Sequence, residues 1–132
     1  MIKRAAIAIA LCGLATPALA SEWISCASPD GGASFDFLVG TLDVLSVAGM
    51  TITAGEQVWA TDPAYGPGTP VVVGQAFETA DTILIDAMDE AIITRIASLR
   101  LFKAVEGDGD PVYAGTLHIP EYGAWAVSCT GP

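Results

Sequence analysis

Two cysteines, Cys26 and Cys129, constrain this chain more than any other feature, because a bond between positions 103 apart would turn nearly the whole fold into one closed loop. The third cysteine, Cys12, falls in a segment laid out as a cleavable export signal. Lys3 and Arg4 open it, Ala5 to Leu14 form an uncharged apolar run, and Ala18-Leu19-Ala20 offers the small side chains a signal peptidase accommodates. The reading is therefore a signal peptide over 1–20 and a single domain over 21–132. The apolar run is shorter than the ~20 residues that cross a bilayer, so no membrane insertion is expected after cleavage, and the expected location is periplasmic or secreted. In such an oxidising compartment an even pair of cysteines forms a disulfide. A bridge closing so long a loop withholds about 4–5 kcal/mol of freedom from the unfolded chain.

Once the leader is removed, only Arg95, Arg100 and Lys103 carry positive charge, against fifteen acids. Three cations cannot build a phosphate-tracking stripe, so nucleic acid and anionic headgroups are poor partners on electrostatic grounds and no nucleic acid is expected. A basic partner, protein or small ligand, is favoured instead.

Between the cysteines the chain is a succession of short β-favouring runs broken by turn residues. Trp23 to Ala27 opens the domain. After the turn cluster Ser28-Pro29-Asp30-Gly31-Gly32, Phe35, Phe37 and Val39 alternate with Asp36 and Leu38. Further strands are expected over Leu42–Val47, Met50–Thr53, Gln57–Ala60, Val71–Val73, Gln75–Glu78 and Thr82–Asp86. Thr61 to Pro70, with three prolines and two glycines, reads as a surface loop. Leu99–Val105 and Val112–His118 read as a hairpin, and Gly123–Cys129 as a last strand with Trp125, Val127 and Cys129 on one face. The expectation is an all-β fold, a small antiparallel meandering barrel or sandwich closed by the terminal disulfide. One short helix near 89–96 is the alternative, since Asp86, Asp89 and Glu90 resemble a helix start and Met88, Ile92, Ile96 and Leu99 keep helical spacing.

Residues that carry chemistry are few. The sequence lacks a Gly-x-Ser-x-Gly elbow, a His-Glu-x-x-His pair and a phosphate-binding Gly-rich loop with lysine, and no catalytic residue is assigned. His118 stands at a strand end, where a solvated histidine is expected. Glu106, Asp108 and Asp110 alternate as the first ligands of a calcium loop do, but position six is Pro111 rather than glycine and position twelve is Leu117 rather than glutamate. They are the candidate calcium ligands; no other cofactor is indicated. Trp23, Trp59 and Trp125 sit in apolar runs and read as core. Tyr65 and Tyr122 lie in Gly- and Pro-containing loops, where a rigid aromatic serves as a recognition anchor.

The Trp23-x-x-Cys26 opening, the Asp30-Gly31-Gly32 turn followed by Phe35-x-Phe37, and the closing Ala124-Trp125-Ala126-Val127-Ser128-Cys129 resemble the small periplasmic inhibitors of C-type lysozyme. The resemblance covers the two ends of the chain. It implies an antiparallel β-barrel with its ends tied by a disulfide and a loop that occupies the lysozyme cleft. That family's inhibitory Ser-Gly pair followed by tyrosine has no counterpart here, so no inhibitory residue is carried over. The expected function is an exported binding domain, in its sharpest form an inhibitor of a cell-wall lytic enzyme. The alternatives are a small carboxylate-dependent hydrolase using acids near Asp86 to Glu90 and a structural subunit of an envelope complex.

Overall fold

The computed structural model describes residue 13 and residues 21–40 and 42–131; the expected signal peptide, Gly13 apart, lies outside the described residues. Among the described residues ten strands follow in order: β1 (Glu22–Ala27), β2 (Ala33–Val39), β3 (Val47–Ala54), β4 (Gln57–Ala60), β5 (Thr69–Pro70), β6 (Val72–Glu78), β7 (Thr82–Met88), β8 (Arg95–Ala104), β9 (Val112–Ile119) and β10 (Gly123–Thr130). They form one sheet in the order β5-β4-β3-β2-β1-β10-β9-β8-β7-β6. The first and last strands are thus neighbours in its middle. Its two edges, β5 and β6, are consecutive in the chain. All pairings are antiparallel except the two-residue contact of β5 with β4. The sheet curls until β6 approaches β3, and the all-β meander takes the form of a nearly closed barrel.

The inside is filled by alternate residues of each strand, as a pleated ribbon requires. Ala33, Phe35 and Phe37 of β2 point inward with Ile24 and Cys26 of β1, Ile52 of β3, Ile83 and Ile85 of β7, Leu99 and Leu101 of β8 and Val127 of β10. Cys26 and Cys129 are directly opposed across β1 and β10, 4.0 Å apart at Cα, and are bonded. That junction has only three paired positions on each strand, and the disulfide ties the two ends of the described chain together across it.

Several sequence expectations are corrected by the structure. No helix forms at 89–96: residues 89–94 are a tight turn, and β8 begins at Arg95. Asp89 decides this locally, because its Oδ1 accepts the Ile93 and Thr94 amides at 2.8 and 3.1 Å and so bends the chain back. Of the apolar residues at helical spacing, Ile96 and Leu99 instead lie on β8 against β7, Met88 ends β7 and Ile92 stays in the turn. Leu42–Ser46 is irregular, and β3 runs through Gly49 rather than stopping there. Val71–Val73 and Gln75–Glu78 belong to one extended stretch, with a register shift around Gly74. The loop 61–70 contains a 3-10 turn, Pro63–Tyr65, started by Asp62 accepting the Ala64 amide at 2.7 Å. Trp59 is core, but Trp23 is 40 % exposed. It sits three positions before the inward Cys26, so strand alternation sends it to the outer face. Among the described residues no helix is long and apolar enough to cross a membrane.

Candidate functional site

The hairpin turns of this meander open alternately on the two ends of the barrel. Residues 28–32, 55–56, 89–94 and 120–122 share one end. Tyr122 stands there, half exposed, with its ring edge-to-face against the buried Trp59 at 5.0 Å and 89°. The two rings, with Ile96, Pro120 and Arg95, border a cavity of about 350 Å³. Beside it the 89–94 turn exposes Ile92 and Ile93, at 64 and 80 %. Among the described residues two non-glycine residues have left-handed backbone, Ile92 at φ 56° and Glu121 at φ 72°, and both belong to the turns around this cavity. For β-branched Ile92 that conformation is unfavourable. Asp30, Glu56, Asp89, Glu90 and Glu121 lie on the turns of the same end. Asp30 and Asp89 are held below the usual carboxylate range by hydrogen bonds, chiefly from the Ser28 hydroxyl and the Ile93 amide respectively.

The other tyrosine does not stand free. The 3-10 turn lays the Tyr65 ring over Gly49 on the outside of β3, so closely that a Cβ at Gly49 would lie 2.5 Å from Cε2. Thr51 Oγ1 donates to the Tyr65 carbonyl at 2.9 Å. The ring meets Trp23 edge-to-face at 5.3 Å and 78°. Tyr65 and Trp23 together wall a cavity of about 290 Å³ on the side of the barrel, with Ser25, Asp36 and Thr51 completing its lining. The two candidate tyrosines therefore belong to two separate places. Ile92, Ile93 and Asp36 were not singled out from sequence. Ile92 keeps the helical spacing that reads as buried, and the placing of Asp36 beside Trp23 on the outer side depends on which face each strand turns outward.

The acidic groups are distributed rather than convergent. Glu106, Asp108 and Asp110 lie in the exposed β8–β9 turn at the opposite end, and among the described residues no three His, Cys, Asp or Glu side chains come together to hold a metal. Asp86 is buried on the outer side of β7, where Gln75 Nε2 donates to Oδ2 at 2.9 Å and Arg100 Nη1 lies 2.9 Å from Oδ1. The Arg100 contact is an ion pair without the alignment of a hydrogen bond, since Oδ1 has no directed donor. Burial pushes the Asp86 carboxyl up, but Arg100 and Gln75 together outweigh it and hold the group below its ordinary value. Asp89 is engaged by its own turn. His118 is exposed on β9.

No family model, no curated protein and no solved structure matches this chain.

Proposed function

We propose that this is an exported, periplasmic or secreted recognition domain that binds a basic macromolecular partner through the barrel end carrying Tyr122, Ile92 and Ile93, without covalent chemistry of its own. The observation that carries the reading is the pair of isoleucines exposed on a strained turn beside the Trp59–Tyr122 rings. An isolated solvent-exposed turn gains nothing from such residues, whereas an interface gains a central apolar anchor. Carboxylates on the surrounding turns supply a polar rim of one prevailing sign, which speeds encounter with a cationic surface and selects against an acidic one. The amino-terminal segment, read as a signal peptide, and the disulfide support export.

Inhibition of a basic cell-wall lytic enzyme is the specific form we favour, on the terminal resemblance and the charge. The hydrolase alternative is weaker because Asp86 is tied to Arg100 and kept ionised, which makes it a poor proton donor near neutrality. Immobilised protein is exposed to C-type lysozyme and other basic lytic enzymes at physiological salt, alongside Ile93→Ser and Tyr122→Ala. Saturable binding by the parent, weakened roughly 30-fold or more in the variants, is expected for central anchors. Absence of binding to any of these enzymes overturns the inhibitor form. Equal binding by parent and variants overturns the assignment of this end.

A further inference from the structure

We propose that the corner formed by Trp23, Asp36 and Tyr65 on the side of the barrel is a binding site for a primary alkylammonium group. This site lies away from the Tyr122 end and does not depend on it.

Strand register builds the site. Ser25, Asp36 and Thr51 are consecutive cross-strand partners on β1, β2 and β3, so their side chains form one row on the outer face. The next row, two residues along each strand, is Trp23, Leu38 and Gly49. Gly49 leaves the space that the Tyr65 ring fills, and Trp23 rises to meet that ring. The aromatic pair therefore makes a wall along one side of a floor of two hydroxyls and a carboxylate. The row on the other side, Ala27, Ser34 and Thr53, is small, and Ser34 and Thr53 are hydrogen-bonded to each other at 2.7 Å.

Asp36 is the unusual member. It is partly buried, and among the described residues its only side-chain hydrogen bond comes from the Ser25 hydroxyl and no Lys, Arg or His lies within ion-pair distance of it. Burial pushes its carboxyl up and the Ser25 hydroxyl only partly opposes this. A carboxylate in such a place is costly unless a cation joins it. The two ion pairs among the described residues show the contrast: Asp86 has Arg100, and Glu78 has Lys103. An incoming cation gains the carboxylate and the negative faces of the rings together. The choice of a primary ammonium follows from the floor. Three N–H donors match acceptor positions on Asp36, Ser25 and Thr51, whereas a quaternary ammonium could use only charge and ring contact. The alkyl stem of such a ligand would lie along the rings.

The chemistry is that of a lysine side chain or of a free small amine, and the test separates these. Indole N–H resonances of the purified protein are followed by NMR while n-butylammonium chloride, tetramethylammonium chloride or n-butanol is added. The expected result is a saturable shift of Trp23 with butylammonium, Trp59 and Trp125 remaining still. Butanol and tetramethylammonium should bind at least several-fold more weakly. Asp36→Asn should weaken butylammonium roughly 10-fold or more, the loss of a charge-assisted contact. Tyr65→Leu, which removes part of the wall and leaves the carboxylate, should weaken it roughly 3-fold. Equal shifts with butanol, equal affinity for tetramethylammonium, or unchanged affinity in both variants overturns the proposal. With the site upheld, binding of acetyl-Gly-Lys-Gly-amide as tight as butylammonium points to a partner's lysine, and rejection of that peptide points to a free amine.

Discussion

Replacing both bridging cysteines, Cys26→Ala with Cys129→Ala, tests how the barrel is closed. The bond joins residues 103 apart, which places nearly all of the domain inside one covalent loop. Releasing that loop returns about 4–5 kcal/mol of conformational freedom to the unfolded chain. The native state loses little in exchange. Cys26 is buried among Ile24, Phe35 and Val127 and becomes a smaller apolar residue, and the flanking pairs Ser25 with Thr130 and Ala27 with Ser128 remain. The net loss should therefore be close to the chain term, about 4 kcal/mol, enough to lower Tm by roughly 15 °C in a domain of this size. Urea unfolding of parent and double variant without reductant measures it, with the slope m expected to increase because the open unfolded chain exposes more surface. Hydrogen exchange supplies the second readout: protection should fall throughout the barrel by the same free energy. A loss below about 1 kcal/mol, or protection lost in β1 and β10 alone, would refute the reasoning, because the bond would then hold two strands together locally rather than restrict the unfolded ensemble.

Gly115→Ala should be severely destabilising, by about 3 kcal/mol or more in denaturant unfolding, because its Cβ would stand 1.9 Å from the Arg100 carbonyl of the paired strand β8. Arg100→Met, which strands a buried Asp86, should cost about 2–3 kcal/mol at pH 7 in the same assay, at the low end for a buried pair because the Arg100 side chain is 37 % exposed. The Asp86 carboxyl is lowered in the folded state, so its contribution is fully present above the unfolded pKa near about 4 and is lost as pH falls through the folded value; the stability gap between parent and Arg100→Met should narrow on acidification below that point. Asp36 has the opposite sign. Its folded carboxyl is raised, so folding is favoured by protonation, and Asp36→Asn should leave stability at pH 7 equal or slightly higher in thermal melts; a clear loss would contradict the description of Asp36 as a carboxylate lacking its cation. Gly49→Ala should displace the Tyr65 ring with a cost of about 1 kcal/mol, read as a changed Trp23 emission while the rest of the fold persists.

Much of the architecture can be read from the residues one at a time. Strand alternation of Phe35 and Phe37 against Asp36, the glycine- and proline-marked turns, and the hairpin of β8 with β9 need only period and turn chemistry, which are local. The pairing of Cys26 with Cys129 follows from the sequence once Cys12 is read as part of an export signal. The 89–94 turn is ambiguous in sequence because Asp89 serves a helix cap and a turn equally well, and only the docking of β8 on β7 selects between them. Tertiary structure alone decided the rest: that the first and last strands meet in the middle of the sheet, that Trp23 faces outward over Asp36 while Trp59 faces inward beneath Tyr122, and that Ile92 and Ile93 end in solvent. Each depends on which distant strand becomes a neighbour and in what register. A shift of one residue would exchange the two faces of a strand, and nothing within a single strand's sequence records its partner's alignment.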